Sequence, residues 1–102
     1  MTARYRRLAE VCMQLAIDDA FVRDVCDEGL VEIKHTVEAD AVISDEDAER
    51  LRLITVLMRE MDVNLPGAAV ILHMREDLYA VQRQFDQILQ ALVEELRQRL
   101  SR

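Results

Sequence analysis

The feature that most limits what this chain can fold into lies near its C-terminus. From Asp77 onward Leu78, Val81, Phe85, Ile88 and Leu92 recur at spacings of three and four, with Leu96 and Leu100 continuing the row. A 3,4,3,4 spacing keeps an apolar stripe in line along a helix, the seam of a helix that packs lengthwise on another. Some 25 residues of helix extend about 37 Å at 1.5 Å per residue, longer than the small domain that precedes it. One core of short helices cannot cover such a stripe. A homodimer through Leu78, Val81, Phe85, Ile88, Leu92 and Leu96 is the economical solution.

Upstream, Leu8, Val11, Cys12, Leu15 and Ala16 recur at helical spacing, which predicts a short helix over 6–15. Ile17-Asp18 follows as a staple residue and an N-cap, with Asp19 in the first turn of a second helix. Phe21, Val22, Val25 and Cys26 give that helix its buried stripe, and Gly29 stops it. Two short helices joined by a tight turn suggest a helix-turn-helix. Leu30–Ile33 and Ala41–Ile43 then read as a small hairpin around the polar stretch 34–40. Ser44 caps a third helix with Asp45, Glu46 and Asp47 in its first turn and Leu51, Ile54, Leu57, Met58 and Met61 on its apolar side. Asp62-Val63-Asn64 breaks it, and Asn64 with Pro66 opens a fourth, mostly buried helix through Ala68, Val70, Ile71, Leu72 and Met74.

Charge and composition remove several function classes. Asp and Glu number 20 against 13 Lys and Arg, a net of −7. Duplex binders neutralise phosphates with Lys and Arg, so a nucleic-acid partner is disfavoured. Cys12 and Cys26 sit on apolar stripes, where a thiol stays protonated, and read as reduced core residues rather than nucleophiles or a disulfide. His35 and His73 are far apart, so no metal is expected; His35 reads as solvated and His73 as half-buried. Adjacent acids such as Asp18/Asp19 or Asp27/Glu28 do not converge on one substrate atom, and no Gly-rich phosphate loop is present. The expectation is a protein that is not an enzyme and carries no cofactor. No apolar run approaches the roughly 18–20 residues of a membrane span. The basic start over residues 1–7 is not followed by the apolar core of a leader peptide, so the expected setting is cytoplasmic.

The order helix, turn, helix, then Glu28-Gly29-Leu30-Val31-Glu32, then Ser44-Asp45-Glu46-Asp47-Ala48-Glu49-Arg50-Leu51, resembles the winged-helix head of MerR-type regulators. Val63-Asn64-Leu65-Pro66-Gly67-Ala68-Ala69-Val70-Ile71-Leu72, with the Leu- and Gln-rich terminal helix, is similar to the CbpM-like chaperone-modulatory proteins over roughly residues 8–100. The resemblance implies an all-α fold with a minor β-hairpin wing: a head over residues 1–75 and a dimerisation helix over 76–102. It also implies binding to the J-domain of a DnaJ-type co-chaperone of the CbpA kind, blocking its engagement with DnaK.

Departures from the DNA-binding members point the same way. Arg23 stands where those proteins have a basic residue in the second helix, but Asp24 and Val25 replace the aromatic pair after it, and Ala41, Val42 and Ile43 replace basic and aromatic wing residues. Between Asp18 and Glu49 twelve acids face two cations, Arg23 and Lys34. Such a surface repels phosphate and suits a basic protein partner. Asp24, Asp27, Glu28, Glu32, Asp45 and Asp47 are the expected contact residues. The alternative is a MerR- or HspR-like transcription factor that binds operator DNA as a dimer.

Overall fold

The computed structural model describes residues 4–101; the first three residues of the basic start lie outside them. In chain order come β1 (Tyr5–Arg7), α1 (Leu8–Leu15), α2 (Asp19–Asp27), β2 (Lys34–His35), β3 (Ala41–Ser44), α3 (Asp45–Glu60) and α4 (Leu65–Leu100). The strands form an antiparallel sheet in the order β1-β3-β2. Two units result, one up to Val70 and one from Ile71. The fold is the mostly helical winged helix-turn-helix that the sequence predicts.

The first unit is organised around a small apolar core. Ile43, Leu51, Ile54, Val11 and Val25 are fully buried, and each such side chain contributes roughly 1.5–3 kcal/mol of transfer free energy. Helix ends are defined by local chemistry. The Asp18 carboxylate accepts from the Phe21 N–H at 2.9 Å and starts α2. Ser44 Oγ accepts from the Asp47 N–H at 3.1 Å and starts α3. Asn64 Oδ1 accepts from the Gly67 N–H at 2.8 Å at the start of α4. Gly29, at φ 73°, ends α2 in the left-handed region that an L side chain seldom adopts.

Three local expectations are corrected. Residues 6 and 7 belong to a strand, not to the first helix, because β1 pairs with β3 (Arg6 opposite Ile43, Arg7 opposite Val42). The hairpin strand before β3 is Lys34–His35, inside the stretch expected to be a connector, and Leu30–Ile33 is not a strand. Leu30 and Val31 are instead buried side chains on an irregular segment whose backbone bonds to α3. There Arg50 Nη1 donates to the Leu30 carbonyl at 3.1 Å, and the Glu32 N–H donates to Asp47 at 2.9 Å. The fourth helix is not mostly buried and does not end near Met74: α4 continues for 36 residues, about 54 Å. Ala68 and Leu72 are buried, whereas Val70, Ile71 and Met74 are exposed. With no Gly or Pro after Gly67, nothing in the sequence interrupts the helix.

The second unit is the run of α4 from Ile71. Its stripe is exposed along its length, with Phe85 63% and Leu92 57% accessible and Leu78, Val81, Ile88 and Leu96 alike. Leu89 and Val93, also exposed, widen it on one side. On the polar sides Glu94–Arg97 at 3.4 Å and Glu95–Arg99 at 3.0 Å pair along the helix. No helix among the described residues is long and apolar enough to cross a membrane.

Candidate functional site

Helix α2 positions the first group of expected contact residues. Val22 and Val25 face the core, which turns Asp24, Asp27 and Glu28 to solvent. Among the described residues no cation pairs with any of the three. Asp27 ends α2 and Glu28 follows at its C-cap, and the last turn has no basic residue. A helix C-terminus carries a partial negative charge, so carboxylates there are locally unfavourable by ~0.3–1 kcal/mol each. Asp24 and Glu28 also stand four apart, a like-charge pair that weakens the helix. These acids are therefore held against the helix's own preference.

The N-terminus of α3 has the opposite character. Asp45, Glu46 and Asp47 occupy its first turn, where the macrodipole favours them. Asp47 is only half-buried, yet its carboxylate is engaged by the Glu32 N–H and lies 3.9 Å from Arg50 Nη1. Asp45 follows the sheet directly, its N–H donating to the Arg4 carbonyl at 2.9 Å.

The Glu32 backbone meets Asp47, and Asp27 and Asp47 both act on one thiol, that of Cys26. Burial first, then the charges of Asp27 and Asp47, raise the Cys26 thiol above its ordinary value. Whereas that keeps Cys26 neutral, Lys34 is held in its charged form, first by its hydrogen bond to the Tyr5 hydroxyl and more weakly by Glu32 and Asp47. Asp24 and Glu28 flank Asp27 on α2, and Asp45 stands apart at the sheet end. Cys12 and Cys26 are free and half-buried rather than core residues, and burial followed by Asp19 and Asp18 raises the Cys12 thiol. His35 is exposed, as is His73, which was expected to be half-buried.

Two features escaped sequence reasoning. Arg59 reaches back to α1, donating to the Leu15 carbonyl at 2.6 Å and to the Ala16 carbonyl, and so closes a helix end where Ala16 adopts φ 54°. The wing also has cations. Its central strand is apolar, as expected, but β1 and β2 bring Arg7 and Lys34 to either side of Val42. The Lys34 Nζ lies 3.2 Å from the Tyr5 hydroxyl and 5.6 Å from its ring centre. A charge count that begins at Asp18 omits Arg4, Arg6 and Arg7.

The arrangement offers exposed charge of both signs and an exposed apolar helix. Among the described residues no three His, Cys, Asp or Glu side chains group as a metal site. The sequence model described as MerR HTH family regulatory protein matches residues 7–100. Comparison with curated proteins gives no match.

Proposed function

The chain belongs to the MerR HTH family of regulatory proteins, and from that premise we propose that it is a non-enzymatic, cytoplasmic chaperone modulator. Its partner is the J-domain of a DnaJ-type co-chaperone, which it keeps from engaging DnaK. The observation that carries this reading is the exposed, unpaired trio Asp24, Asp27 and Glu28 on the second helix of the helix-turn-helix. On that helix a DNA-binding head needs side chains that attract phosphate, and these repel it. Complementary potentials steer encounter with a basic helix and set specificity. Carboxylates kept at a helix C-terminus against the dipole fit a functional role better than a structural one. The likeness of the Val63–Leu72 segment and the terminal helix to CbpM-like proteins adds the identity of the partner.

The working form is a homodimer through the α4 stripe. The apolar surface exposed along one helix supports that form. Competition is tested by DnaK ATPase stimulation. The chain should suppress stimulation by the J-domain in proportion to the complex formed; a J-domain that stimulates fully while bound would contradict competition. The second reading, an operator-binding regulator, rests on Arg7 and Lys34 in the wing. It requires duplex binding that survives loss of the J-domain.

A further inference from the structure

The outward side of the sheet carries a surface distinct from the acidic one. Ile43 is fully buried, so its side of β3 faces the core and Val42 faces outward. Arg7 and Lys34 are the cross-strand partners of Val42 on either side, and Tyr5, two residues before Arg7, shares their face. Arg7 and Lys34 are exposed and Tyr5 is 44% accessible. Strands lie about 4.8 Å apart, so the two cations rise about 10 Å from each other across Val42, within reach of one anion between them. Lys34 Nζ donates to the Tyr5 hydroxyl at 3.2 Å and lies 5.6 Å from the ring centre, beyond the hydroxyl edge. No acid occurs in any of the three strands, although the chain as a whole is acidic.

We propose that Arg7, Lys34 and Tyr5, set around Val42, form a second docking surface that takes a short acidic segment of a partner polypeptide. Discrete carboxylates fit better than a continuous polyanion. Glu32, Asp40 and Asp45 lie within two residues of the strand ends in the chain, and their repulsion weighs more on a long polyanion running past the sheet than on one or two carboxylates set between the cations. Val42 and the Tyr5 ring supply an apolar floor for an aliphatic neighbour of those carboxylates.

The test uses the full chain and a short fluorescein-labelled peptide of Asp and Leu residues, followed by anisotropy at low salt, where the Debye length stays near or above about 10 Å. Saturable binding is expected. Arg7→Glu with Lys34→Glu should weaken it at least about tenfold, which corresponds to about 1.4 kcal/mol. Arg7→Gln with Lys34→Gln, which adds no repulsion to the fold, should weaken it less, and Tyr5→Phe less again. Circular dichroism on each variant confirms the fold. Absence of saturable binding, or affinity unchanged in both double variants, overturns the proposal. So does a duplex oligonucleotide of equal charge binding more tightly than the peptide through the same two residues, because the surface would then read nucleic acid.

Discussion

The Asp47 carboxylate accepts a hydrogen bond at 2.9 Å from the backbone N–H of Glu32, fifteen residues earlier in the chain. It joins the start of α3 to the irregular segment between α2 and the wing, and Arg50 completes the joint by donating to Leu30. A hydrogen bond to a charged group contributes roughly 1.5–3 kcal/mol when protected. Here the donor is exposed, so Asp47→Ala should destabilise the fold by about 1 kcal/mol. Asp47→Asn, which keeps an acceptor oxygen, should cost less. Urea unfolding measures both, and an unchanged midpoint for Asp47→Ala would contradict the joint.

Gly29 isolates a backbone effect. It sits at φ 73°, and a Cβ placed there meets nothing within 4 Å. Gly29→Ala should therefore cost about 1 kcal/mol from backbone strain alone. A larger loss would mean that the site is sterically closed.

The expectations that held are those written in local chemistry. Asp18, Ser44 and Asn64 cap helices where the sequence places caps, and Gly29 ends α2. What stayed hidden depends on distant partners. Tyr5-Arg6-Arg7 has no apolar alternation, and it becomes a strand because β3, almost forty residues away, offers a ladder. Leu30-Val31-Glu32-Ile33 looks like a strand by composition, but side chains of α3 take up its backbone groups. The α4 stripe was legible from spacing, whereas its continuity with the preceding turns was not, since the dense apolar run through Met74 thins at Arg75-Glu76-Asp77 in a way that resembles a break. In the candidate site the acids of α2 were legible as exposed because Val22 and Val25 fix the inward face. The engagement of Asp47 and the cations of the wing were not.

Thiol chemistry gives a pH signature. Burial, then Asp27 and Asp47, raise Cys26 above an ordinary value of 9.0, and burial with Asp19 and Asp18 does the same for Cys12. The folded chain thus keeps these protons to higher pH than the unfolded chain does. Stability from this source is complete below about pH 9 and falls as pH rises beyond it, levelling once the folded thiols ionise. A Cys12→Ala/Cys26→Ala variant should show a shallower alkaline loss of stability than the parent. Asp27→Asn should speed alkylation of Cys26 at pH 8, because it removes a charge that opposes the thiolate. An unchanged rate would remove Asp27 from the thiol's surroundings.

The α4 seam predicts mass. Light scattering should give twice the 11.8 kDa of the chain. Phe85→Asp with Leu92→Asp should give the single-chain mass, because a charge buried in an apolar seam is costly. Parent protein at the single-chain mass would contradict the dimer.

If the acidic trio is the recognition surface, it affects stability and binding with opposite signs. Replacing Asp24, Asp27 and Glu28 by Lys places cations at the C-terminal end of α2, where the dipole favours them by ~0.3–1 kcal/mol each. The triple variant should be at least as stable as the parent and yet fail to bind. The most direct measurement is titration calorimetry of both proteins against the isolated J-domain of the same organism's co-chaperone, at low and high salt. The expected result is saturable binding by the parent that weakens with salt and is lost in the folded triple variant. Equal affinity in the two proteins, or no heat of binding from the parent at either salt, would contradict recognition through this surface.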